Sequence, residues 1–541
     1  MQSLVAVGTA ARENRFELTH QKTHFFLSMN PLTQRGSDRI EEHAQSLHDL
    51  GHQYLNRDEL GLAEAAFRQA LEIQPDWLRA KIDLGCLLQR LSNYAEAEPI
   101  LRQALYLDPE AELAHNALGL LFWHTNRLYE AEPHYREAIR VRPDFYEARN
   151  NLGLVLMHTN RLQEAEIAFR YALAINAKVP EIHSNYGSVL RQLGRVEEAV
   201  AAFRQALSLD PHSVAAKTNL AQALLASGAY EEGWSMYESR LDPRLDGHYI
   251  EAPPIPWPMW SGEPLVGKSL IIWPEQGYGD VLQFCRYAPM LKALGLKTLS
   301  IACQPMLERL FHSLDGVDCV YSLNGEGTIA RHDYWCFVMS LPHRFGTTLD
   351  TIPASTPYLR APTDSILRWR SLLPRGRLRV GLVWAGDPRL HTTASNAVDQ
   401  RRSVSAETFL PILGVPGITF VSLQKGAIAE KQIDSLPAEL HPFDPMGLVE
   451  DFGDTAAIIE SLDLVIAVDT STAHLAGALN KPVWVLSRYG SCWRWLRAGQ
   501  DSPWYPSMRL FRQRELGDWE PVIEEVKQAL IEWCASRPAL V

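Results

Sequence analysis

Apolar and small residues between about 41 and 211 recur at helical spacing, and the pattern itself repeats every 34 residues. Gly51, Gly85, Gly119, Gly153 and Gly187 hold one register, and Ala63, Ala97, Ala131, Ala165 and Ala199 a second. Ala70, Ala104, Ala138, Ala172 and Ala206 hold a third, with Phe67, Leu101, Tyr135, Phe169 and Phe203 keeping a large apolar side chain between the alanines. Pro75, Pro109, Pro143 and Pro211 close four of the five units, and Ala177 takes the remaining slot. The pattern predicts two antiparallel helices per unit. Small residues let the paired helices approach, the large residue fills the space between neighbouring units, and proline ends the second helix. A degenerate sixth unit has Ala221, Gly233 and Tyr237 in register but Arg240 in the second alanine slot, and reads as a modified cap joining the array to the C-terminal half.

The pattern changes near residue 241. Prolines 243, 253, 254, 256, 258 and 264 make 242–268 a linker or an extended strap rather than a packed helix. Short apolar runs then alternate with helical patterns. Strands are predicted at 269–273, 298–302, 318–321, 334–338, 378–384, 418–423, 464–468 and 483–486. Helices are predicted at 281–294, 304–314, 406–413, 454–461, 472–479 and 519–534, the last reaching back across a domain boundary. Such alternation implies parallel sheets covered on both faces. A Pro-rich, charged stretch at 360–377 divides the region, so 269–375 and 376–541 form two Rossmann-like domains facing one cleft. The expected organisation is a flexible segment 1–40, a repeat array 41–241, a linker 242–268 and these two domains.

The repeat period resembles that of the tetratricopeptide repeat, whose arrays form an α superhelix with a concave groove for an extended peptide or partner. Asn116, Asn150 and Asn219, on first helices, are candidate ligands for a peptide backbone. Solvated helix-surface residues are the plainer reading.

Charge limits the partners. Lys plus Arg number 52 against 64 Asp plus Glu, a net charge of −12, which disfavours nucleic acid and anionic membranes as general partners. Seven scattered cysteines without a C-x-x-C pair predict neither a disulfide framework nor structural zinc. Without a long apolar run or a basic leader, the expectation is a cytoplasmic protein with no membrane insertion, its oligomeric state open.

Three segments carry candidate chemistry. Gln276-Gly277-Tyr278-Gly279-Asp280 follows a strand and opens a helix, so Asp280 is either a helix cap or a general base at a sheet's carboxyl edge. Asp469-Thr470-Ser471-Thr472-Ala473-His474 is similarly placed. Its hydroxyls and amides suit a phosphate, and the alternative is a capped helix with a packed histidine. The stretch 385–403 reads as a long polar loop ending in Arg401-Arg402, either a diphosphate clamp or a solvated pair. Lys425 adds a cation after the strand at 418–423. Trp493, Trp495, Trp504 and Tyr505 are expected mostly to pack in the core.

These residues, with Gly233-Trp234, WPEQGYGDVLQFCRY at 273–287, GLVWAGDP at 381–388 and DLVIAVDTSTAHLAGALNKPVWVL at 463–486, resemble the heptosyltransferase-like glycosyltransferases of family 9. Bacterial proteins fusing tetratricopeptide repeats to such a domain are closer still, and the layout is similar to that of O-linked N-acetylglucosamine transferases. The resemblance implies a GT-B fold and an inverting, metal-independent glycosyltransferase with no cofactor beyond a nucleotide-sugar co-substrate. In that family's pattern Asp280 matches the acceptor-activating base. Asp469, Thr470, Ser471 and His474 match the donor motif, and Arg402 the diphosphate contact. Ser491-Cys492 stand before Trp493 where fused relatives often have Asp. The acceptor would be a protein hydroxyl delivered by the repeats, on flagellin or another bacterial surface protein. The alternatives are a glycan or lipid-linked acceptor with the repeats only docking, and an inactive scaffold.

Overall fold

The computed structural model describes residues 34–245, 250–325, 327–375, 378–388, 393–490 and 492–537, and the chain divides into two compact units, 1–125 and 126–541. The first unit holds helices α1 (Gln34–Asn56), α2 (Leu60–Ile73), α3 (Leu78–Arg90), α4 (Tyr94–Leu107) and α5 (Glu112–His124). Residues 34–40 belong to α1, which corrects the flexible segment expected there; residues 1–33 lie outside the described residues.

The second unit begins with α6 (Leu128–Val141), α7 (Tyr146–His158), α8 (Leu162–Ile175), α9 (Pro180–Gln192), α10 (Val196–Leu209), α11 (Val214–Ser227) and α12 (Tyr230–Tyr237). The turn before each even-numbered helix contains a left-handed residue, again at a 34-residue step: Asp58, Ser92, Asn126, Asn160, Gly194 and Gly228. Asp and Asn tolerate that conformation through local hydrogen bonding, and glycine has no Cβ to oppose it.

The large apolar residue packs inside a repeat, not between neighbours as the pattern suggested. A Cβ on Gly51 would lie 2.5 Å from Phe67, on Gly85 2.5 Å from Leu101, on Gly153 2.6 Å from Phe169 and on Gly187 2.8 Å from Phe203. Gly153→Val should therefore cost about 1–3 kcal/mol through overpacking, seen as a lower thermal unfolding midpoint. Gly61→Ala, with nothing within 4 Å of the added Cβ, should leave the midpoint unchanged or raise it.

Two all-parallel sheets complete the unit. The first has β1 (Ser269–Trp273), β2 (Thr298–Cys303), β3 (Cys319–Ser322) and β4 (Tyr334–Phe337) in the order β3-β2-β1-β4. The second has β5 (Leu378–Val383), β6 (Ile418–Ser422), β7 (Leu464–Val468), β8 (Val483–Ser487) and β9 (Met508–Arg512) in the order β6-β5-β7-β8-β9. Strands β7 and β8 are buried at every position, as expected where helices cover both faces.

Several expectations are corrected. Strand β9 was not predicted, nor was the helix Thr363–Leu372 inside the stretch taken as a divider. The helix expected at 281–294 breaks into α13 (Tyr278–Phe284), a 3-10 turn and Ala288–Ala293. The supposed loop at 385–403 contains the helix Thr393–Arg402. The terminal helix Glu520–Ala535 buries Val522, Val526 and Leu530 in the core of the second sheet, beside Val380 and Ile466, rather than crossing back.

The proline-rich segment is a strap on the free edge of β4. Trp335 donates its backbone N–H to Pro258 O (3.1 Å) and its indole N–H to Trp257 O (2.9 Å), while Trp260 N donates to Trp335 O (2.7 Å). Pairing of this kind blunts an otherwise open edge.

The sixth repeat is built into the α/β part. Arg240, 3% exposed, grips Glu275 through Nε (2.9 Å) and Nη2 (2.8 Å) and also holds Glu238 and Ser340. Glu275 lies just after β1 and accepts the backbone N–H of Met339. Trp234 of α12 shares an aromatic cluster with Phe284, Trp493 and Trp504, whose indole N–H donates to Tyr230 Oη. Thus α9–α12, the first sheet and part of the second share one hydrophobic core. No helix among the described residues is long and apolar enough to cross a membrane, and all seven cysteines are free thiols.

Candidate functional site

In an open parallel sheet the place where strand order reverses leaves a crevice at the carboxyl ends of the strands, and ligands bind there. In the first sheet that point lies between β1 and β4, in the second between β5 and β7. Gln276–Asp280 follow β1, the helix Thr393–Arg402 follows β5, and Asp469–His474 follow β7. The predicted segments thus occupy the reversal points of both sheets.

The two edges touch. Tight approach at Gly279 seats α13 against the helix Ser471–Ala478: a Cβ there would lie 3.0 Å from His474 Cδ2 and 3.5 Å from Ser471 Cα. Gly277 is the N-cap of α13, and Asp280, at the third helical position rather than at the cap, accepts the Gly277 N–H through Oδ2 (2.9 Å). Its other oxygen, Oδ1, pairs with Arg494. Arg494 also donates to Gln283 Oε1 (2.6 Å) and lies over the Trp493 ring, 4.2 Å from its centroid. Gln276 adopts a left-handed backbone and donates through Nε2 to Tyr237 Oη of α12 (2.9 Å).

His474 is packed, not solvated. It is 5% exposed, stacks on Trp495 at 5.2 Å and bonds Tyr505 Oη through Nδ1 (3.0 Å). Tyr505 Oη meets Tyr358 Oη, which accepts from Arg286, itself fully enclosed and anchored on Trp504 O (2.6 Å). Burial drives the His474 pKa down to about 3, so the ring is neutral. A free imidazole titrates near 6.5. The stabilisation is therefore complete above about pH 6.5 and is lost as pH falls toward 3. At pH 5 the loss should be about 2 kcal/mol, seen as a falling thermal midpoint whose slope flattens in His474→Gln.

Arg402 ties β5 to β7. Nε and Nη2 hold Asp399 at 2.8 and 2.7 Å, and Nη1 donates to Asp469 O (3.0 Å). Thr470 caps the helix Ser471–Ala478, and its buried Oγ1 has no hydrogen-bond partner. With the free amides of a helix start, that hydroxyl suits an anionic oxygen. Lys425 is committed elsewhere, donating to Met446 O at 2.7 Å. Trp495, Trp504 and Tyr505 are fully buried and Trp493 nearly so, as core packing requires.

The peptide-groove candidates lie on repeat helices: Asn116 on α5, Asn150 on α7 and Asn219 on α11, all partly buried. Asn150 Oδ1 accepts from Asn185 of α9 (2.9 Å), so equivalent asparagines bond between repeats. A candidate cation cluster, His48, His52 and Asp83, lies in the first unit. Both imidazole Nε2 atoms and Arg79 Nε converge on Asp83 Oδ2 at 2.9–3.1 Å, a closed hydrogen-bonded group.

Sequence reasoning missed Arg494 and Arg286. Arg494 stands between two tryptophans whose aromatic character drew attention to packing alone.

Tetratricopeptide-repeat family models match residues 44–76, 82–138, 128–180 and 190–233. The N-terminal region is a tetratricopeptide-repeat array, a scaffold suited to peptide or protein partners. The chain is 32% identical over 329 residues to Protein FlbA of Caulobacter vibrioides, an alignment covering 56% of this chain and 53% of that protein. The chain thus spans about half the length of this curated relative. Solved structures similar to it include PilF of Pseudomonas aeruginosa, at 21% identity and TM-score 0.35, covering 38% of this chain and 95% of that one. A tetratricopeptide-repeat protein of Thermus thermophilus is 24% identical, with TM-score 0.31, covering 34% of this chain and 99% of that one.

Proposed function

We propose that the α/β region is a GT-B-type inverting glycosyltransferase and that the repeats present a protein acceptor to it. One observation carries the reading: the carboxyl edges of two parallel sheets meet through Gly279 and His474, with Asp280 from one and the Asp469–Ser471 turn from the other at the seam. The family resemblance of the same segments supports it.

The nucleotide sugar would lie on the second sheet, its phosphate oxygens facing the start of the helix Ser471–Ala478, the Thr470 hydroxyl and the Arg402 guanidinium. The acceptor hydroxyl would approach Asp280. Its oxygen attacks the anomeric carbon, the bond from that carbon to the phosphate oxygen breaks, and the hydroxyl proton passes to the Asp280 carboxylate. Each Asp280 oxygen uses one lone pair on Gly277 or Arg494 and keeps another for that proton. Helix-terminal amides and Arg402 would stabilise the negative charge on the departing nucleotide. Seven free thiols fit action in the cytoplasm.

Calorimetry against UDP-, GDP-, ADP-, dTDP- and CMP-linked sugars tests the donor half. One nucleotide class should bind saturably and weaken about tenfold or more in Arg402→Ala, as expected for loss of a charged hydrogen bond. Absence of binding to every donor in folded protein would favour the scaffold reading.

A further inference from the structure

Three arginines gather where the repeats meet the second sheet. Arg401, the penultimate residue of the helix Thr393–Arg402, is 8% exposed and donates through Nη1 to Asn160 Oδ1 (2.5 Å), in the turn between α7 and α8. Its Nε and Nη2 are buried and have no partner. Arg191, near the end of α9, likewise has a buried, unpartnered Nε. Arg488 follows β8 and among the described residues donates only to backbone carbonyls, Gly490 O (2.8 Å) and Tyr489 O (3.4 Å). The backbone contact between these elements is close: a Cβ on Gly490 would fall 2.1 Å from Gln192 O of α9.

Among the described residues no carboxylate lies within ion-pair distance of Arg191, Arg401 or Arg488. In a chain of net charge −12, this is a concentration of half-buried to buried positive charge without a paired carboxylate. Burial and the field of Arg488 lower the Arg191 pKa to about 10, and burial with both neighbours lowers that of Arg401 to about 9. The Asp469 carboxylate bears electrostatically on Arg488, which places the cluster beside the second-sheet edge of the candidate site. Uncompensated buried charge is costly, and an anion carrying two or more charges removes that cost.

We infer that Arg191, Arg401 and Arg488 form an anion site, shared between repeat helix α9 and the second sheet, that holds the phosphate part of the nucleotide sugar. The inference rests on the proposed donor reading and adds to it that the repeats supply part of the donor site. Arginine suits this role because its planar fork bonds two phosphate oxygens at once. The repeats are then more than an acceptor arm, and their removal would damage donor binding.

The test is calorimetry of the full chain with pyrophosphate and with the nucleotide sugars, in wild type, Arg191→Gln and Arg401→Gln. Both ligands should bind wild type and weaken about tenfold or more in each variant. Without ligand, Arg191→Gln should be as stable as wild type or more so, because a repulsive charge is gone, and Arg401→Gln should lose no more than its Asn160 hydrogen bond, about 1 kcal/mol; this separates lost ligation from misfolding. Unchanged pyrophosphate binding in both folded variants overturns the inference. Nucleotide-sugar binding that is equal in wild type and variants also overturns it while sparing the glycosyltransferase reading. Arginine-dependent pyrophosphate binding with no nucleotide sugar bound upholds the anion site and sinks the donor reading.

Discussion

Arg240→Met is expected to destabilise the second unit by about 3–5 kcal/mol, because it strands the Glu275 carboxylate in a buried site. The Glu275 side chain is 0% exposed, and after the substitution it would keep only the Met339 N–H. Arg240 also bonds Tyr237 O, Glu238 and Ser340, so one truncation removes a partner from the sixth repeat and from the segments after β1 and β4, although Glu238 and Ser340 keep each other. Glu275→Gln should cost less, since a neutral amide still accepts the Met339 N–H. Replacing both by Met and Leu should recover much of the loss, as apolar substitutes for buried ion pairs often do. Thermal unfolding of the three variants checks the order. A loss in Arg240→Met no greater than that of a surface ion pair, under about 1 kcal/mol, would mean the repeats are only loosely joined to the sheets.

Asp280→Asn is expected to lower the rate of sugar transfer by about 10²–10⁴-fold, the usual effect of losing a general base. The asparagine oxygen can still accept the Gly277 N–H, so α13 keeps its cap, but no carboxylate remains to take a proton. Nucleotide-sugar affinity should change little, because Asp280 belongs to the first sheet and the phosphate groups are assigned to the second. A drop in donor affinity with an unchanged rate constant would reassign Asp280 to holding Arg494 in place. The thermal midpoint of the variant distinguishes these outcomes from unfolding.

The repeats were legible because each register is fixed by packing within a short stretch. Gly153 must be small because Phe169 occupies its space, and the same constraint returns every 34 residues. The central strands were legible as continuous apolar runs, since both their faces are buried. Strand β9, at the sheet edge with Arg509 and Arg512 within it, carries no such run. The helix Thr363–Leu372 was hidden by its charged residues, although Trp369 is fully buried. The helix Thr393–Arg402 has no apolar face to announce it and is fixed instead by Asp399–Arg402 and Asn160–Arg401 contacts.

In the candidate site, strand-to-helix junctions marked Gly277, Gly279, Asp280 and Thr470, because glycine, aspartate and hydroxyl residues at such points have local reasons to be there. What pairs with them was not local. Arg494 reaches Asp280 across 214 residues, and Arg191 approaches Arg488 from the repeat helix α9. His474 fitted a ligand motif as well as a packed position, and its buried stack on Trp495 gives it the packing role.

The most direct measurement follows labelled sugar from each nucleotide donor into protein, using the purified full chain and fractionated bacterial proteins as acceptors. The account predicts label in a protein band from one donor, formed by wild type and reduced at least a hundredfold in Asp280→Asn. Label entering only a glycan or lipid, or none entering anything although a donor binds, would contradict protein glycosylation as the function.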